Sequence, residues 1–108
     1  MCAFEPLFHD ADLGYVLRCR DCSHLQIAFG NVVLTLQEID FPSFAGWLRE
    51  IEAGQPVNED ILLKNILLPS PCEGLRLMFS LAELRKLNRM IDLADTEMQS
   101  RSILRLFQ

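Results

Sequence analysis

Two runs of alternating apolar and polar residues, joined by Gly30-Asn31, constrain the fold of this chain more than any other feature. The runs cover residues 24–29 and 32–36. Glycine and asparagine tolerate the positive φ that a two-residue hairpin turn requires. The sequence therefore predicts an antiparallel hairpin here, and with it a sheet built from strands that follow one another in the chain.

Further strands are predicted on both sides of this hairpin. Residues 15–20 alternate in the same way and predict a preceding strand. After a loop around Pro56, apolar runs predict strands at 61–63, extending towards 66–68, and at 75–79. Because the connections are short enough for hairpins, we expect a mostly antiparallel sheet of about five strands.

Two helices are predicted between and after these strands. Asp40 is expected to cap the first helix, which should end at Gly54. Ser80, with Glu83 three residues later, forms a capping box at the start of the second helix. The second helix carries one apolar stripe, formed by Leu81, Leu84, Leu87, Ile91, Ala94 and Met98. The predicted order is βββ-α-ββ-α, which is an α+β fold with both helices packed on one face.

The two ends of the chain show no clear periodicity. The opening segment, residues 2–13, contains Pro6 and three acidic residues, so we expect it to be irregular. The tail, defined here as residues 103–107, has four apolar residues in five and can extend the helix or form a separate element. Such a cluster needs burial, either on the chain's own body or against a second copy. Because the preceding stripe is already complete, we expect a homodimer.

Length and charge exclude several classes of function. A chain of 108 residues fits one domain, residues 1–108, and its 50% apolar content can form a core without disulfides. Residues 1–72 carry 4 basic and 10 acidic residues, a net charge of −6, which would repel nucleic acid. No window approaches the ~18 apolar residues of a membrane span, and the start does not resemble a secretory signal. We therefore expect a cytoplasmic protein with no nucleic-acid or membrane partner.

The C-x-x-C motif of Cys19 and Cys22 is the most specific chemical feature. It lies at the tip between two predicted strands, where two thiolates can bind one tetrahedral zinc ion. One such pair supplies only two ligands, and we expect Cys2 and His24 to complete the site. The other donors considered are Cys72 and His9. The alternative is an ordinary reduced hairpin tip without metal.

The same two cysteines can also be interpreted as a redox dithiol. Arg18 and Arg20 would help to lower a thiol pKa. Thioredoxin-like sites, however, place the first cysteine at a helix N-terminus, whereas here an apolar strand follows. No Ser-His-Asp set can be assigned from the spacing, so the sequence predicts no catalytic residue.

Two longer patterns carry a resemblance to a known family. The first third of the chain reads G-Y-x-x-R-C-x-x-C-x-H-x-Q-x-x-F-G-N from Gly14 to Asn31, and F-S-L-x-E-L follows from Phe79 to Leu84. These patterns resemble the core of a small, uncharacterised bacterial family, a domain of unknown function. The resemblance implies a compact bacterial cytoplasmic protein in which the C-x-x-C is part of the pattern, and it implies no catalytic residues.

The sequence thus favours a non-enzymatic structural or protein-interaction module, with structural zinc as its one candidate cofactor. The expected partner is another protein or a second copy of the chain. The alternative is a small thiol-dependent redox enzyme that uses Cys19 and Cys22. The aromatic residues Phe41, Phe44 and Trp47 have helical spacing and are predicted to pack in the core.

Overall fold

The computed structural model describes residues 3–56, 60–70 and 73–107, which form two antiparallel sheets and two α-helices. The first four strands are β1 (Phe4–Asp10), β2 (Gly14–Cys19), β3 (His24–Phe29) and β4 (Val32–Gln37). They form one sheet in the order β1-β2-β3-β4. A 3-10 turn (Glu38–Asp40) leads into α1 (Phe41–Ala53), and the remaining elements are β5 (Lys64–Pro69), β6 (Arg76–Ser80) and α2 (Leu81–Arg105). The order is ββββ-α-ββ-α, which confirms the α+β class.

The predicted hairpin between β3 and β4 is present. Phe29 pairs with Val32 across the turn, and Gly30 has a φ of 58°, in the left-handed region that glycine adopts without strain. The turn after β1 uses glycine differently. Gly14 has a φ of 139°, and a side chain there would collide with the carbonyl oxygen of Ala28. Both turns therefore depend on glycine, for conformation at Gly30 and for conformation and space at Gly14.

The expectation that the opening segment is irregular is wrong, because residues 4–10 form β1. Pro6 is compatible with this strand since β1 lies at the edge of the sheet, where a missing N–H costs no ladder hydrogen bond. The register shifts between Pro6 and Phe8, so the proline sits beside a bulge. A salt bridge from Glu5 to Arg18 of β2 further fixes the strand.

Two features of the second sheet also differ from the prediction. Residues 61–63 form a turn instead of a strand, because the Oδ1 of Asp60 accepts a hydrogen bond from the Leu62 N–H at 3.0 Å. The strands β5 and β6 pair only with each other and do not join β4. The expected sheet of about five strands is therefore a four-stranded sheet and a separate hairpin.

The start of α2 confirms the predicted capping box. The Glu83 N–H donates to Ser80 Oγ at 3.1 Å, and the Ser80 N–H donates to Glu83 Oε1 at 2.9 Å. That second hydrogen bond lowers the pKa of the Glu83 carboxyl group, although partial burial opposes the shift. The α1 helix begins and ends where predicted, with Asp40 at its N-cap and Gly54 at its C-cap, but the Asp40 side chain makes no capping hydrogen bond.

One hydrophobic core lies between the four-stranded sheet, the hairpin and the two helices. The predicted stripe of α2 is buried from Leu81 to Ala94, and Met98 is half-buried. Asn88, on the buried side of α2, donates to the Leu48 carbonyl at 3.2 Å and to Glu52 Oε1 at 2.8 Å, which joins α2 to α1. None of the helices in the described ranges is both long and apolar enough to cross a membrane.

Candidate functional site

A deep apolar groove of about 650 Å³ lies between β4, α1 and the β5–β6 hairpin. Trp47 and Phe44 of α1 form one side, with ring centroids 6.2 Å apart. The hairpin side is lined by Leu75 and Leu77, and the floor includes the buried Ile27 of β3. Thr35 and Ser70 contribute the side-chain hydroxyls of an otherwise hydrophobic lining. A groove of this size and composition suits an apolar ligand.

The groove exists because the β5–β6 hairpin contacts the four-stranded sheet at one end and leaves β4 partly uncovered. Phe29 of β3 and Phe79 of β6 are in contact, with ring centroids 5.9 Å apart, and this pair joins the two sheets. Leu34 of β4 pairs with Ile27 of β3, yet Ile27 is buried and Leu34 is only half-buried. The inner face of β4 therefore has apolar side chains that the rest of the protein covers incompletely.

The outer edge of β4 has no neighbouring strand among the residues that the structure describes. Its sequence, Val-Val-Leu-Thr-Leu-Gln, contains no charged residue and no proline. Proteins usually protect an edge strand with charges, proline, a bulge or a covering element, because unpaired backbone groups attract other chains. The β4 edge has none of the first three, so a covering element is the protection that remains.

The C-x-x-C motif lies at the tip of the β2–β3 hairpin, at the end of the sheet opposite the β3–β4 turn. Cys19 ends β2 and is fully buried, whereas Cys22 is exposed in the turn. Ser23 has a φ of 55°, a left-handed conformation that few non-glycine residues adopt, and its carbonyl accepts from the Glu38 N–H at 2.8 Å. His24 begins β3 and is the direct cross-strand partner of Cys19.

The structure brings three of the predicted zinc ligands to one hairpin tip. Cys19 and His24 are direct cross-strand partners, and the side chains of such a pair project to the same face of a sheet. Cys22 is in the turn between them. The fourth predicted ligand, Cys2, lies outside the described residues, as does Cys72. Within residues 3–56, 60–70 and 73–107, no three His, Cys, Asp or Glu side chains are already arranged as a metal site.

A buried ion network fixes the β1 edge of the same sheet. The Arg18 side chain is only 5% exposed, and its Nε donates to Glu5 Oε1 at 2.7 Å. Its Nη2 lies 2.6 Å from the same oxygen, outside hydrogen-bond geometry, and its Nη1 lies 3.5 Å from Glu38 Oε1. These contacts tie β2 to β1 and to the start of the 3-10 turn.

Two further arginines complete the network around Glu5. Arg20 approaches Glu5 Oε2 at 3.0 Å, and Arg101 of α2 approaches it at 3.5 Å. Arg101 also donates to the Pro6 carbonyl at 2.9 Å. Partial burial raises the pKa of the Glu5 carboxyl group, but hydrogen bonds and charge from Arg20 and Arg18 outweigh it, so that the pKa is lowered. A carboxylate held in its ionised form by arginines is a structural anchor and a poor proton carrier.

Comparison with known families identifies the family of the chain but assigns it no activity. The model of a family of unknown function (DUF6686) matches residues 1–107. The chain belongs to this family. No curated protein and no solved structure matches it. The functional interpretation of this family member therefore depends on the geometry of the groove and of the C-x-x-C tip.

The groove was missed by reasoning from the sequence. The aromatic residues of α1 were all predicted to be core residues, and this is correct for the fully buried Phe41. Phe44 is half-buried and Trp47 is exposed, because both line the groove. An uncharged strand without proline was the signal in the sequence, and it could have indicated an edge that needs a cover.

Proposed function

We propose that this protein is a non-enzymatic interaction module whose groove takes up an apolar segment of another polypeptide. The observation that supports it is the apolar groove beside β4, a strand whose outer edge lacks charge and proline. A small apolar molecule could fill the groove, but it would leave the backbone edge of β4 uncovered. A polypeptide segment can occupy the groove and cover this edge together.

The distribution of polar groups supports a binding role over a catalytic one. The described carboxylates with a lowered pKa are Glu5, Asp10 and Glu83. Arginines hold Glu5, the backbone N–H groups of residues 12 and 13 hold Asp10, and the capping box holds Glu83. None of the three lines the groove. Each shift is thus explained by a structural contact that lies away from the groove.

The groove can be tested with a displayed library of random peptides and two matched variants. Leu75 lines the groove and is 55% exposed, whereas Leu67 of β5 is 52% exposed and does not line it. Leu75→Asp should therefore weaken the binding of the enriched peptides about tenfold or more, because it places a charge against apolar contacts. Leu67→Asp should bind them like the wild type.

Two results would contradict the interaction module. One is a library that yields no groove-dependent peptide even with protein lacking residues 103–108, whose tail would otherwise compete for the groove, and the other is equal binding by both variants. Because both residues are more than half exposed, neither substitution should unfold the protein, and circular dichroism checks this directly.

We also propose that Cys19, Cys22 and His24 bind a structural zinc ion together with Cys2. The supporting observation is the strand pairing: Phe4 pairs with Cys19, which pairs with His24. Cys2 precedes Phe4 by two residues in the sequence. Four protein ligands would leave no open position, so the metal would stabilise the hairpin tip and perform no catalysis.

Zinc content of untagged protein tests the metal site. About one equivalent by mass spectrometry is expected in the wild type, and the double variant Cys19→Ser, Cys22→Ser should lose both zinc and melting temperature. Zinc far below one equivalent in the wild type would contradict the metal site. A thiol that titrates well below the ordinary cysteine pKa would instead favour the redox enzyme.

A bacterial, cytoplasmic setting is part of the same proposal. It is supported by the likeness of the Gly14–Asn31 pattern to a bacterial family and by the four cysteines, since the proposed thiolate ligands among them require a reducing compartment. Labelling of Cys22 in intact cells and in cells lysed with denaturant and a zinc chelator tests the setting. Reaction only after lysis is expected, and labelling from outside intact cells would contradict it.

A further inference from the structure

We infer that the segment bound in the groove is the tail of a second copy of this chain, exchanged reciprocally in a homodimer. This inference rests on the proposed function, because it names the occupant of the same groove. The interface would contain two identical contacts, each made by one tail and one groove.

The tail has the side-chain pattern of a helix that binds in a groove. Ile103, Leu106 and Phe107 occupy positions i, i+3 and i+4, so they share one helical face. Their exposed fractions are 57%, 81% and 82%. The Leu106 N–H donates to the Ile103 carbonyl at 3.0 Å, which continues the helical turn beyond α2. Leu106 and Phe107 therefore project from the end of α2, whereas Ile103 also borders a cleft beside Met98 of its own copy.

A tail cannot reach the groove of its own copy while α2 is intact. Leu87 of α2 lines the groove, and Ile103 is 16 residues further along the helix. At about 1.5 Å per residue these positions are roughly 24 Å apart on a straight helix. Arg101 also fixes the end of α2 to Glu5 and Pro6 of β1, on the far side of the sheet from β4. The occupant must therefore come from another molecule.

The surface of one copy is larger than a chain of this mass normally exposes. Its accessible surface is 7422 Å², whereas a monomeric protein of its mass is expected to expose about 6,100 Å². Its radius of gyration is 15.0 Å, against about 13 Å for a compact chain of this length. The excess of roughly 1,300 Å² is comparable with the ~800 Å² that each partner buries in a standard interface. One copy thus has enough surplus surface for a stable dimer.

Charge favours the exchange of tails over the pairing of two tails. Arg105 gives the tail a positive charge, whereas residues 1–72, which include β4 and α1, have a net charge of −6. Placing a tail on the groove of the partner brings opposite charges together. Placing two tails side by side would bring like charges together.

Mixing two variants separates these arrangements. Deletion of residues 103–108 removes the tail and leaves the groove, and Leu75→Asp blocks the groove and leaves the tail. We expect sedimentation to show a dimer for the wild type and for Leu67→Asp, and a monomer for each of the two variants alone. An equimolar mixture of the two should again contain dimers, because one intact tail and one intact groove remain. A mixture that stays monomeric, or a wild type that is monomeric at high concentration, would overturn the exchanged dimer.

Fluorescence of Trp47 then separates this inference from the proposed function. Trp47 is the sole tryptophan of the chain and lines the groove. A synthetic peptide of residues 97–108 should shift its emission in the tail-deleted protein, and the same peptide with Leu106→Asp and Phe107→Asp should bind at least about tenfold more weakly. If library peptides bind the groove but the tail peptide does not, the exchange of tails is wrong and the interaction module stands. If neither binds, both are wrong.

Discussion

The two edges of the four-stranded sheet differ in charge, in proline content and in the elements that lie against them. At the β1 edge, Pro6 and a bulge interrupt the strand. Glu5 forms ion pairs with three arginines, which lie in β2, in the following turn and in α2. At the β4 edge, six uncharged residues border an apolar groove. Both edges need protection, and among residues 3–56, 60–70 and 73–107 the chain supplies it only at β1. This difference is the basis of the proposal that another polypeptide covers β4.

Removing the central carboxylate of the β1 edge should have the largest effect on stability. Glu5→Gln leaves the buried Arg18 guanidinium with the more distant Glu38, so the free energy of unfolding should fall by about 2–3 kcal/mol. Urea denaturation measures this. Glu97→Gln is the matched control, since Glu97 also contacts Arg101 but its side chain is 45% exposed against 22% for Glu5, and it should cost about 0.5 kcal/mol or less. Equal losses in the two variants would show that burial at the β1 edge contributes nothing.

Acid should weaken the β1 edge before it affects the groove. The pKa of Glu5 is lower in the folded protein than its ordinary value of 4.5, so its ion pairs stabilise the fold above that value. This stabilisation is lost as the pH falls through the lowered pKa, when the folded carboxylate becomes protonated. The stability difference between wild type and Glu5→Gln should therefore be constant above the ordinary pKa of 4.5 and shrink as the pH falls below it. A difference that stays constant or grows on acidification would contradict the role of Glu5.

A charge on the β4 edge should have the smallest effect on the stability of one copy. Val33 is exposed on β4, so Val33→Lys in the tail-deleted protein should change the free energy of unfolding by no more than about 0.5 kcal/mol. The same substitution in the full chain should weaken dimer formation, because a charged edge resists covering. Chemical denaturation and sedimentation measure the two effects. A large loss of stability in the tail-deleted protein would mean that β4 is already covered within one copy.

The elements that local sequence could predict are those fixed by neighbouring residues. Gly30-Asn31 determines its hairpin and Ser80 with Glu83 determines the start of α2, and both appear as expected. The β1 strand was not predicted, because the salt bridge that fixes it joins Glu5 to Arg18, 13 residues away. Pro6 on its own suggested an irregular segment, although an edge position makes the proline compatible with a strand.

The candidate site was harder to predict than the fold because it depends on how distant elements pack. The groove forms only because the β5–β6 hairpin stays separate from β4 and meets the sheet through Phe29 and Phe79. No local pattern encodes that separation. The apolar tail was noticed in the sequence, and a homodimer was expected from it, but its matching groove could not be seen. The Cys19–His24 pairing follows from the predicted hairpin, whereas the zinc ion remains a prediction.

Hydrogen exchange at the two sheet edges tests the central claim most directly. In the full-length protein, the outward amides of β4 should be protected at high protein concentration and should exchange faster on dilution or after deletion of residues 103–108. The amides of β1 should exchange at the same rate in all three conditions, because the contacts of Arg101 with Glu5 and Pro6 at that edge lie within one copy. Exchange in β4 that is independent of both concentration and the tail would contradict the claim that a second copy covers this edge.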